Sequence, residues 1–337
     1  MAILVTGGTG YIGSHTCVEL LNSGYEIVVI DNFSNSTPDT IDKIKRITDK
    51  TFPFYKGNVE NTVLLENIFN DHPIEAVIHF AGLKSVGESV SNPLKYYQVN
   101  FMSTLVLCEV MKKFDVKKIV FSSSATVYGN PEKLPITEDS GTQTTNPYGY
   151  TKLVIENILQ DVYTSDKGWS ICLLRYFNPI GAHTSGLIGD NPIGIPNNLL
   201  PYLAKVAIGE LDFVNVFGND YNTFDGTGVR DYLHVVDLSL GHIKALENVL
   251  SSTGIDTVNL GTGVGYSVLQ IIKSFEKASG KKIDYRIVGR RDGDIAECYA
   301  DTSKAEKVLG WVARRNIDEM CKDAWRYILN TTSKVKA

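Results

Sequence analysis

The feature that most constrains this chain is an apolar strand that leads into a glycine-rich turn. Residues 3–5, Ile-Leu-Val, form a continuous apolar run typical of a central parallel strand that is covered on both faces. Three glycines follow with the spacing Gly8-x-Gly10-x-x-Gly13, and a helical pattern opens at residue 14. Such a turn lets the backbone approach a pyrophosphate, which would lie at the helix N-terminus. The pattern indicates a dinucleotide site, but a simple tight turn would explain the same glycines.

An acidic residue after the next apolar run favours the dinucleotide interpretation. Residues 27–30, Ile-Val-Val-Ile, end in Asp31, at the distance expected for a carboxylate that accepts hydrogen bonds from the adenosine ribose. Because a carboxylate repels the 2′-phosphate of NADP, Asp31 favours NAD. Strand and helix patterns then alternate as far as residue 121, which predicts an α/β fold with a doubly wound, Rossmann-like parallel sheet.

Length and composition limit the class of protein. A chain of 337 residues is long for one hydrophobic core, so two lobes are expected. A hydrophobic content of 43% is typical of soluble globular proteins, and a net charge of −5 without a basic stripe argues against nucleic-acid binding. The sequence shows neither a secretory leader pattern nor an apolar run of membrane-spanning length, which predicts a cytoplasmic protein without a membrane partner. Five cysteines without ligand spacing predict reduced thiols and no structural metal.

A long helix is predicted at residues 93–114, and it has more apolar positions than one buried face requires. A homodimer interface would bury the surplus. Packing within a single subunit would bury these apolar residues equally well, so both arrangements stay open. A homodimer is the assembly that we expect.

A hydroxyl-rich segment and a tyrosine-lysine pair follow the next strand. The strand at residues 118–121 runs into Ser122-Ser123-Ser124, and a helix start after Pro147 carries Tyr148 and Lys152. These last two side chains are four residues apart and therefore lie on one helix face. A phenol with an ordinary pKa near 10 is a poor base at neutral pH, so a lysine and a cationic nicotinamide ring would stabilise its phenolate. A serine-rich turn or a Tyr-x-x-x-Lys spacing alone is common, but the combination with an NAD turn indicates catalysis.

Taken together, these motifs resemble the extended short-chain dehydrogenase/reductase family, and within it the UDP-hexose 4-epimerases. The resemblance covers essentially the whole chain and rests on the segments 6–13, 79–84, 122–129, 148–152, 174–179, 194–199 and 228–232. It implies an NAD-dependent isomerase that inverts C4 of a UDP-hexose by transient oxidation to a 4-keto sugar. In that reaction Tyr148 is the base, Lys152 tunes the base and holds the nicotinamide ribose, and Ser124 lies near O4.

The resemblance also implies two sets of binding residues. The NAD set is Gly7, Gly10, Tyr11, Ile12, Gly13, Asp31, Asn32, Asn58, Val59, Phe80, Ala81, Gly82, Lys84, Ser122, Tyr148, Lys152, Tyr176 and Phe177. The UDP-hexose set is Lys84, Ser124, Thr126, Tyr148, Phe177, Asn178, Asn198, Leu199, Val216, Phe217, Arg230, Arg291, Asp294 and Cys298. In the second set Val216 and Phe217 flank the uracil, while Arg230 and Arg291 hold the diphosphate, since guanidinium groups form charge-assisted bonds to phosphate.

Three positions depart from the family pattern. Asn58 replaces an aspartate that accepts a bond from the adenine amino group, which places that contact in doubt. Val99 replaces an asparagine and Ser103 replaces a glycine, and both positions lie away from the predicted chemistry.

The expected domains are an NAD-binding domain at residues 1–175, to which residues 231–248 return, and a UDP-sugar domain at residues 176–337. A second glycine-rich turn at residues 258–263 is interpreted as a structural strand and loop, because no acidic residue closes a second dinucleotide unit after it.

Two other functions of the same fold are alternatives to epimerisation. A nucleotide-sugar 4,6-dehydratase would need a pair of carboxylates after the threonine, and the segment 124–127, Ser-Ala-Thr-Val, has none. A non-catalytic NAD-binding protein of the same fold would be expected to lack the tyrosine or the lysine. Both Tyr148 and Lys152 are present.

Substrate range depends on Cys298. In the resemblance this position borders the C2 substituent of the sugar, where a bulky tyrosine restricts relatives to UDP-glucose and UDP-galactose. A small residue there predicts that UDP-N-acetylglucosamine and UDP-N-acetylgalactosamine are also accepted. Cys298 could instead be an ordinary buried thiol, and an alignment slip of one residue would place Tyr299 at the position.

Overall fold

The computed structural model describes residues 1–192, 196, 198–291 and 293–335. The elements of its first half are β1 (Ala2–Thr6), α1 (Tyr11–Asn22), β2 (Glu26–Asp31), α2 (Asp39–Thr48), β3 (Phe54–Lys56), α3 (Thr62–Asp71), β4 (Ile74–His79), α4 (Val86–Ser91), α5 (Pro93–Lys113), β5 (Lys118–Ser124), a short 3-10 helix (Ala125–Tyr128), α6 (Pro147–Ser165) and β6 (Ser170–Tyr176). Those of the second half are β7 (Asn178–Ile180), α7 (Leu199–Ala207), β8 (Val214–Phe217), β9 (Val229–His234), α8 (Val235–Ser251), β10 (Gly254–Leu260), β11 (Gly265–Ser267), α9 (Val268–Ser279), β12 (Tyr285–Val288), β13 (Glu297–Cys298), α10 (Ser303–Leu309) and α11 (Ile317–Val335).

A seven-stranded sheet in the order β10-β6-β5-β4-β1-β2-β3 forms the larger lobe, and every neighbouring pair in it is parallel. The chain builds outward from β1 in both directions, so the strand order reverses between β1 and β4. In such sheets ligands bind at the carboxyl ends of the strands on either side of the reversal. This confirms the predicted doubly wound fold and locates its functional edge.

Helices cover both faces of this sheet. Ile3 and Val5 of β1 belong to a core shared with α1 and α8, whereas Ala2 and Leu4 belong to a core shared with α3 and α5. Successive residues of a strand point to opposite faces, which is why a strand covered on both sides is apolar throughout.

The smaller lobe has a core of its own. It combines a sheet in which β9 pairs with β7, β11 and β13, a parallel pair of β8 and β12, and the helices α7, α9 and α11. Among the described residues, no helix is long and apolar enough to cross a membrane.

The segment predicted to return to the larger lobe, residues 231–248, comprises most of β9 and α8. β9 pairs within the small sheet, although its Leu233 packs into the core of the larger lobe. α8 packs against α1, and β10 extends the return to residue 260 by pairing with β6 along its whole length. The glycine-rich stretch at residues 258–263 is therefore the end of an edge strand. The remaining domain limits stay a prediction.

Candidate active site

The glycine turn joins β1 to α1 with very little space. Gly7 has a φ of +69°, and a Cβ atom on Gly13 would lie 2.2 Å from the Gly7 carbonyl oxygen. Only residues without a side chain fit here, because the close contact is with backbone. Gly10 forms the N-cap of α1, and no described side chain caps the helix, so its first N–H groups are available to an anion.

Asp31 lies at the end of β2 beside this turn. Its Oδ2 accepts a hydrogen bond from the Thr9 N–H at 3.0 Å, and its Oδ1 accepts one from the Phe33 N–H at 2.8 Å. The Ser36 hydroxyl also donates to Oδ1, at 3.4 Å. Two carboxylate oxygens can accept about four bonds, so a ribose hydroxyl can still be bound. The turn and this oriented carboxylate fit the diphosphate and adenosine ribose of NAD.

The adenine side carries the first departure from the family pattern. The Asn58 carbonyl oxygen accepts a bond of 2.8 Å from the Asn32 amide. A carbonyl oxygen has a second lone pair, so this geometry still allows Asn58 to accept a bond from an adenine amino group. Val59 is buried next to it.

The loop after β4 is held by a residue that sequence reasoning missed. The Asn100 side chain accepts a bond from the Leu83 N–H at 2.7 Å and donates to the Leu83 carbonyl at 3.1 Å and to Thr151 at 2.9 Å. It thereby fixes the segment that contains Ala81, Gly82 and Lys84. A polar residue on the buried face of the predicted helix 93–114 was the available signal.

Part of the cofactor cleft comes from the smaller lobe. The cleft beside the glycine turn is lined by Gly10 and Lys84 on one side and by Asp190 and Tyr327 on the other. The last two residues are far away in sequence and were not predicted.

Ser124, Tyr148 and Lys152 meet where β5 ends and α6 begins. Burial raises the pKa of the Tyr148 phenol, and its hydrogen bond with the Ser124 hydroxyl opposes that rise. The Lys152 ammonium lies 5.9 Å from the centroid of the Tyr148 ring and donates to the Ser122 carbonyl at 2.7 Å. Burial lowers the pKa of Lys152 to about 8. The structure thus places a hydroxyl, a phenol and a buried amine together, as the sequence predicted.

Neighbouring groups fix the orientation of this cluster. The Ser124 oxygen accepts bonds from both the N–H and the hydroxyl of Thr126, at 3.2 and 2.9 Å. Tyr176 lies next to Ser122, and its hydroxyl is bonded to His242. The His242 ring in turn contacts Phe80, with centroids 4.7 Å apart.

The two arginines assigned to the diphosphate lie around one carboxylate. Arg291 donates to Asp294 at 2.9 Å, and Arg230 lies 3.8 Å from the same carboxylate. Arg230 is further held by the Ile295 carbonyl at 2.9 Å, while the Arg291 guanidinium stacks over the Phe217 ring at 4.6 Å. Separate segments thus form one positively charged corner beside an aromatic ring.

The other predicted substrate residues lie on β7 and β8 and at the start of α7. The Val216 side chain is buried in the core of the smaller lobe, so only its main chain is available to a uracil. Side chains alternate along β8, and Phe217 therefore points to the opposite side of the strand. Asn178 is exposed on β7. Asn198 precedes Leu199 at the start of α7 and donates to Asp190 at 3.2 Å. Within the predicted motif 194–199, residues 194, 195 and 197 lie outside the described residues.

Cys298, the predicted substrate-range residue, lies on β13. It pairs with Arg230 across β13 and β9 and packs against the cluster that contains Phe177 and Tyr128. Tyr299 points toward Gly265 instead, where a Cβ atom would be 3.3 Å from its ring. Alternation along the strand accounts for this difference.

Among the described residues, no group of three or more His, Cys, Asp or Glu side chains could hold a metal ion.

Known proteins match this arrangement over nearly their whole length. The family model described as GDP-mannose 4,6 dehydratase matches residues 4–324. A curated UDP-glucose 4-epimerase of Bacillus subtilis is 63% identical over 97% of this chain and 96% of its own length. The chain belongs to the UDP-glucose 4-epimerase family. Family membership and the missing carboxylate pair after Thr126 both disfavour the dehydratase alternative.

Solved structures of epimerases agree with this assignment. The UDP-glucose 4-epimerase of Bifidobacterium longum, solved in complex with NAD+ and UDP, has a TM-score of 0.95 and 55% identity, and the match covers 98% of this chain and 99% of the other. The UDP-Glc/GlcNAc 4-epimerase of Campylobacter jejuni has a TM-score of 0.85 and 34% identity, with 98% and 99% coverage.

Replacing Gly13 with alanine should weaken NAD binding by at least about tenfold, because the new methyl group would push α1 away from the turn that approaches the diphosphate. The affinity is measured by titrating NAD into protein from which bound nucleotide has been removed. Gly141→Ala is the matched control, since a Cβ atom there has nothing within 4 Å. Equal NAD affinity in the two variants would contradict the assigned role of the turn.

Proposed function

We propose that this chain interconverts UDP-glucose and UDP-galactose by transient oxidation at C4, with Tyr148 as the base, and that it also accepts the N-acetylated pair. The observation that carries the proposal is the convergence of Ser124, Tyr148 and Lys152 beside a turn that fits NAD. The dehydratase and the non-catalytic alternatives lack support, because the first needs carboxylates and the second does not need this cluster.

The chemistry follows from the position of the reacting carbon. C4 of a pyranose carries no acidic hydrogen, so deprotonation of that carbon cannot invert it. The glycine turn and Asp31 would hold NAD, which would supply the hydride acceptor for C4 and the hydride donor for the opposite face of the 4-keto sugar. Tyr148 takes the O4 proton and later gives it back, while the Ser124 hydroxyl orients O4.

The protein must also ionise Tyr148. Burial alone raises the pKa of this phenol, so positive charge has to lower it in the working complex. The Lys152 ammonium, 5.9 Å from the centroid of the Tyr148 ring, supplies such a charge, and its bond to the Ser122 carbonyl holds it in place.

Binding through the nucleotide leaves the sugar free to turn. Arg230, Arg291 and Phe217 form a corner suited to the diphosphate and the uracil, at a distance along the ligand from the reacting ring. With the UDP end held, the 4-keto sugar can present either face.

Acceptance of N-acetylated sugars rests on the small side chain at Cys298. Cys298 packs against the cluster that contains Phe177, a residue assigned to the sugar pocket, whereas the bulky Tyr299 lies beside Gly265. This orientation argues against an alignment slip that would place Tyr299 at the gate. The related Campylobacter jejuni protein is described as acting on both UDP-Glc and UDP-GlcNAc, which supports such a range within the fold.

A direct test measures the conversion of UDP-glucose, UDP-galactose and their N-acetyl counterparts side by side with the purified protein. We expect all four to be converted without net consumption of NAD. Conversion of the unacetylated pair alone would limit the proposal to that pair, and accumulation of a 6-deoxy-4-keto product would favour the dehydratase.

Replacing Lys152 with methionine should weaken NAD binding and move the acidic limb of the pH profile upward by about 1 pH unit. The sign follows because a phenolate that loses a cationic neighbour has a higher pKa and becomes protonated at a higher pH. The profile of kcat/KM against pH measures the shift. A limb at the wild-type position would show that Lys152 does not act on Tyr148.

We also propose that the chain forms a homodimer through α5. Leu94, Tyr97, Phe101 and Leu105 lie along one stripe of this helix, and Leu94 remains 79% exposed in the single chain. Tyr97 also packs edge to face with Tyr150 of α6, at 6.0 Å. An apolar stripe of this kind suits a second copy of the chain.

Light scattering after size exclusion tests the assembly. We expect a dimer for the wild type and a monomer for Leu105→Glu, because a buried unpaired carboxylate opposes association. A monomeric wild type would contradict the proposal.

A further inference from the structure

Three consecutive serines at the end of β5 are in register with one face of α6. The Ser122 carbonyl accepts a bond from Lys152, the Ser123 hydroxyl bonds to Glu156, and the Ser124 hydroxyl contacts Tyr148. Positions 148, 152 and 156 are spaced by four residues and so share a helix face. The proposed mechanism uses the first two of these side chains and leaves Glu156 unexplained.

Glu156 is buried and charged. Its two carboxylate oxygens accept bonds from Arg175 at 3.0 and 2.7 Å, and both side chains are more than 90% buried. A buried ion pair of this kind contributes little net stability compared with apolar residues of the same size, because both charges lose water. Stability alone therefore does not explain why a carboxylate lies one helical turn after Lys152.

We propose that Glu156 is a positioning residue for the epimerase reaction, which fixes α6 against β5 and places a negative charge one helical turn after the buried Lys152 ammonium. The inference rests on the proposed function, because it assigns Lys152 as the cation that supports the Tyr148 phenolate. Arg175 then serves to hold the carboxylate and to balance its charge.

Other groups around Lys152 do not supply that negative charge. His79 of β4 is nearby, but burial lowers its pKa to about 3, so it is neutral at working pH. The Phe121 ring of β5 lies 4.9 Å from the ammonium, and Tyr148 is the phenol that the ammonium serves. Tyr176 of β6 is protonated, since burial raises its pKa far above neutral. Burial lowers the pKa of Lys152, and the charge of Glu156 opposes that change.

Two substitutions should move the pH profile in opposite directions. Glu156→Gln combined with Arg175→Met removes both charges and leaves no unpaired ion, so Lys152 loses its anion and should deprotonate at a lower pH. The alkaline limb of kcat/KM should then move down by about 1 pH unit. Arg175→Met alone leaves the Glu156 charge unbalanced, so the same limb should move up. The alkaline limb that reports Lys152 is the one that disappears from the pH profile of Lys152→Met, because methionine cannot be deprotonated.

A second ion pair, with a buried carboxylate, provides the control. Asp237 of α8 is paired with Arg315, which is half-buried in the loop before α11. Asp237→Asn combined with Arg315→Met should lower the melting temperature, as any such loss does, without moving either limb.

The outcomes separate the inference from the proposed function. A test variant is counted as folded if it keeps a wild-type circular dichroism spectrum. In a folded variant, an alkaline limb of kcat/KM that moves in the stated direction supports the positioning role. An unmoved limb in a folded variant, with an active wild type, overturns this role alone. A wild type without epimerase activity overturns the proposed function instead.

Discussion

Replacing Tyr148 with phenylalanine should lower kcat by at least about 100-fold while affinity for UDP stays nearly unchanged. The substitution removes the phenolic oxygen that is proposed to accept the O4 proton as a phenolate, and it keeps the ring that lies 5.9 Å from the Lys152 ammonium. Because the proposed UDP site is the separate corner around Arg230 and Arg291, the loss should fall on turnover. Initial rates with UDP-galactose and a UDP titration measure the two effects separately.

Tyr163→Phe is the matched control for this variant. Tyr163 lies later on the same helix, where its ring contacts Lys167 at 4.1 Å, far along α6 from the serines. It should keep wild-type turnover. If Tyr148→Phe also kept it, the base would have to be another group.

Replacing Cys298 with tyrosine should abolish conversion of the N-acetylated sugars and leave most activity toward UDP-glucose and UDP-galactose. The larger side chain would extend from β13 into the space beside Phe177, where the acetamido group at C2 is expected to lie. The tyrosine ring would clash with an acetamido group at C2 but not with the smaller C2 hydroxyl, so the N-acetylated sugars would be excluded. Relative kcat/KM values for the two sugar pairs measure the change.

Cys298→Ala provides the size control, because it removes the thiol without filling the space. It should retain both activities. Equal loss of both activities in the tyrosine variant would mean that Cys298 does not act as the gate.

The parts of the site that could be predicted from sequence are those made by neighbouring residues. Gly13 is constrained by the Gly7 carbonyl only six residues earlier, and Tyr148 and Lys152 share a helix face through spacing alone. Local geometry of this kind is visible as a pattern.

The parts that could not be predicted depend on contacts between distant segments. Asn100 reaches the loop after β4, and Glu156 meets Arg175 and Ser123, which belong to two different strands. No periodicity in the sequence indicates such partners. The arginine corner around Asp294 was accessible only through family resemblance, because an isolated arginine has no distinctive sequence spacing.

The route of the chain between the lobes has a consequence for how the molecule unfolds. After building β7, α7, β8 and β9, the chain returns to add α8 and β10 to the large sheet, and then goes back to complete the smaller core. A truncation anywhere between β6 and α8 would therefore leave β6 as an exposed edge and remove the helix that covers α1. Neither lobe is a contiguous segment that can be cut out intact, so thermal denaturation is expected to proceed as one cooperative transition in which the cofactor cleft and the sugar pocket are lost together.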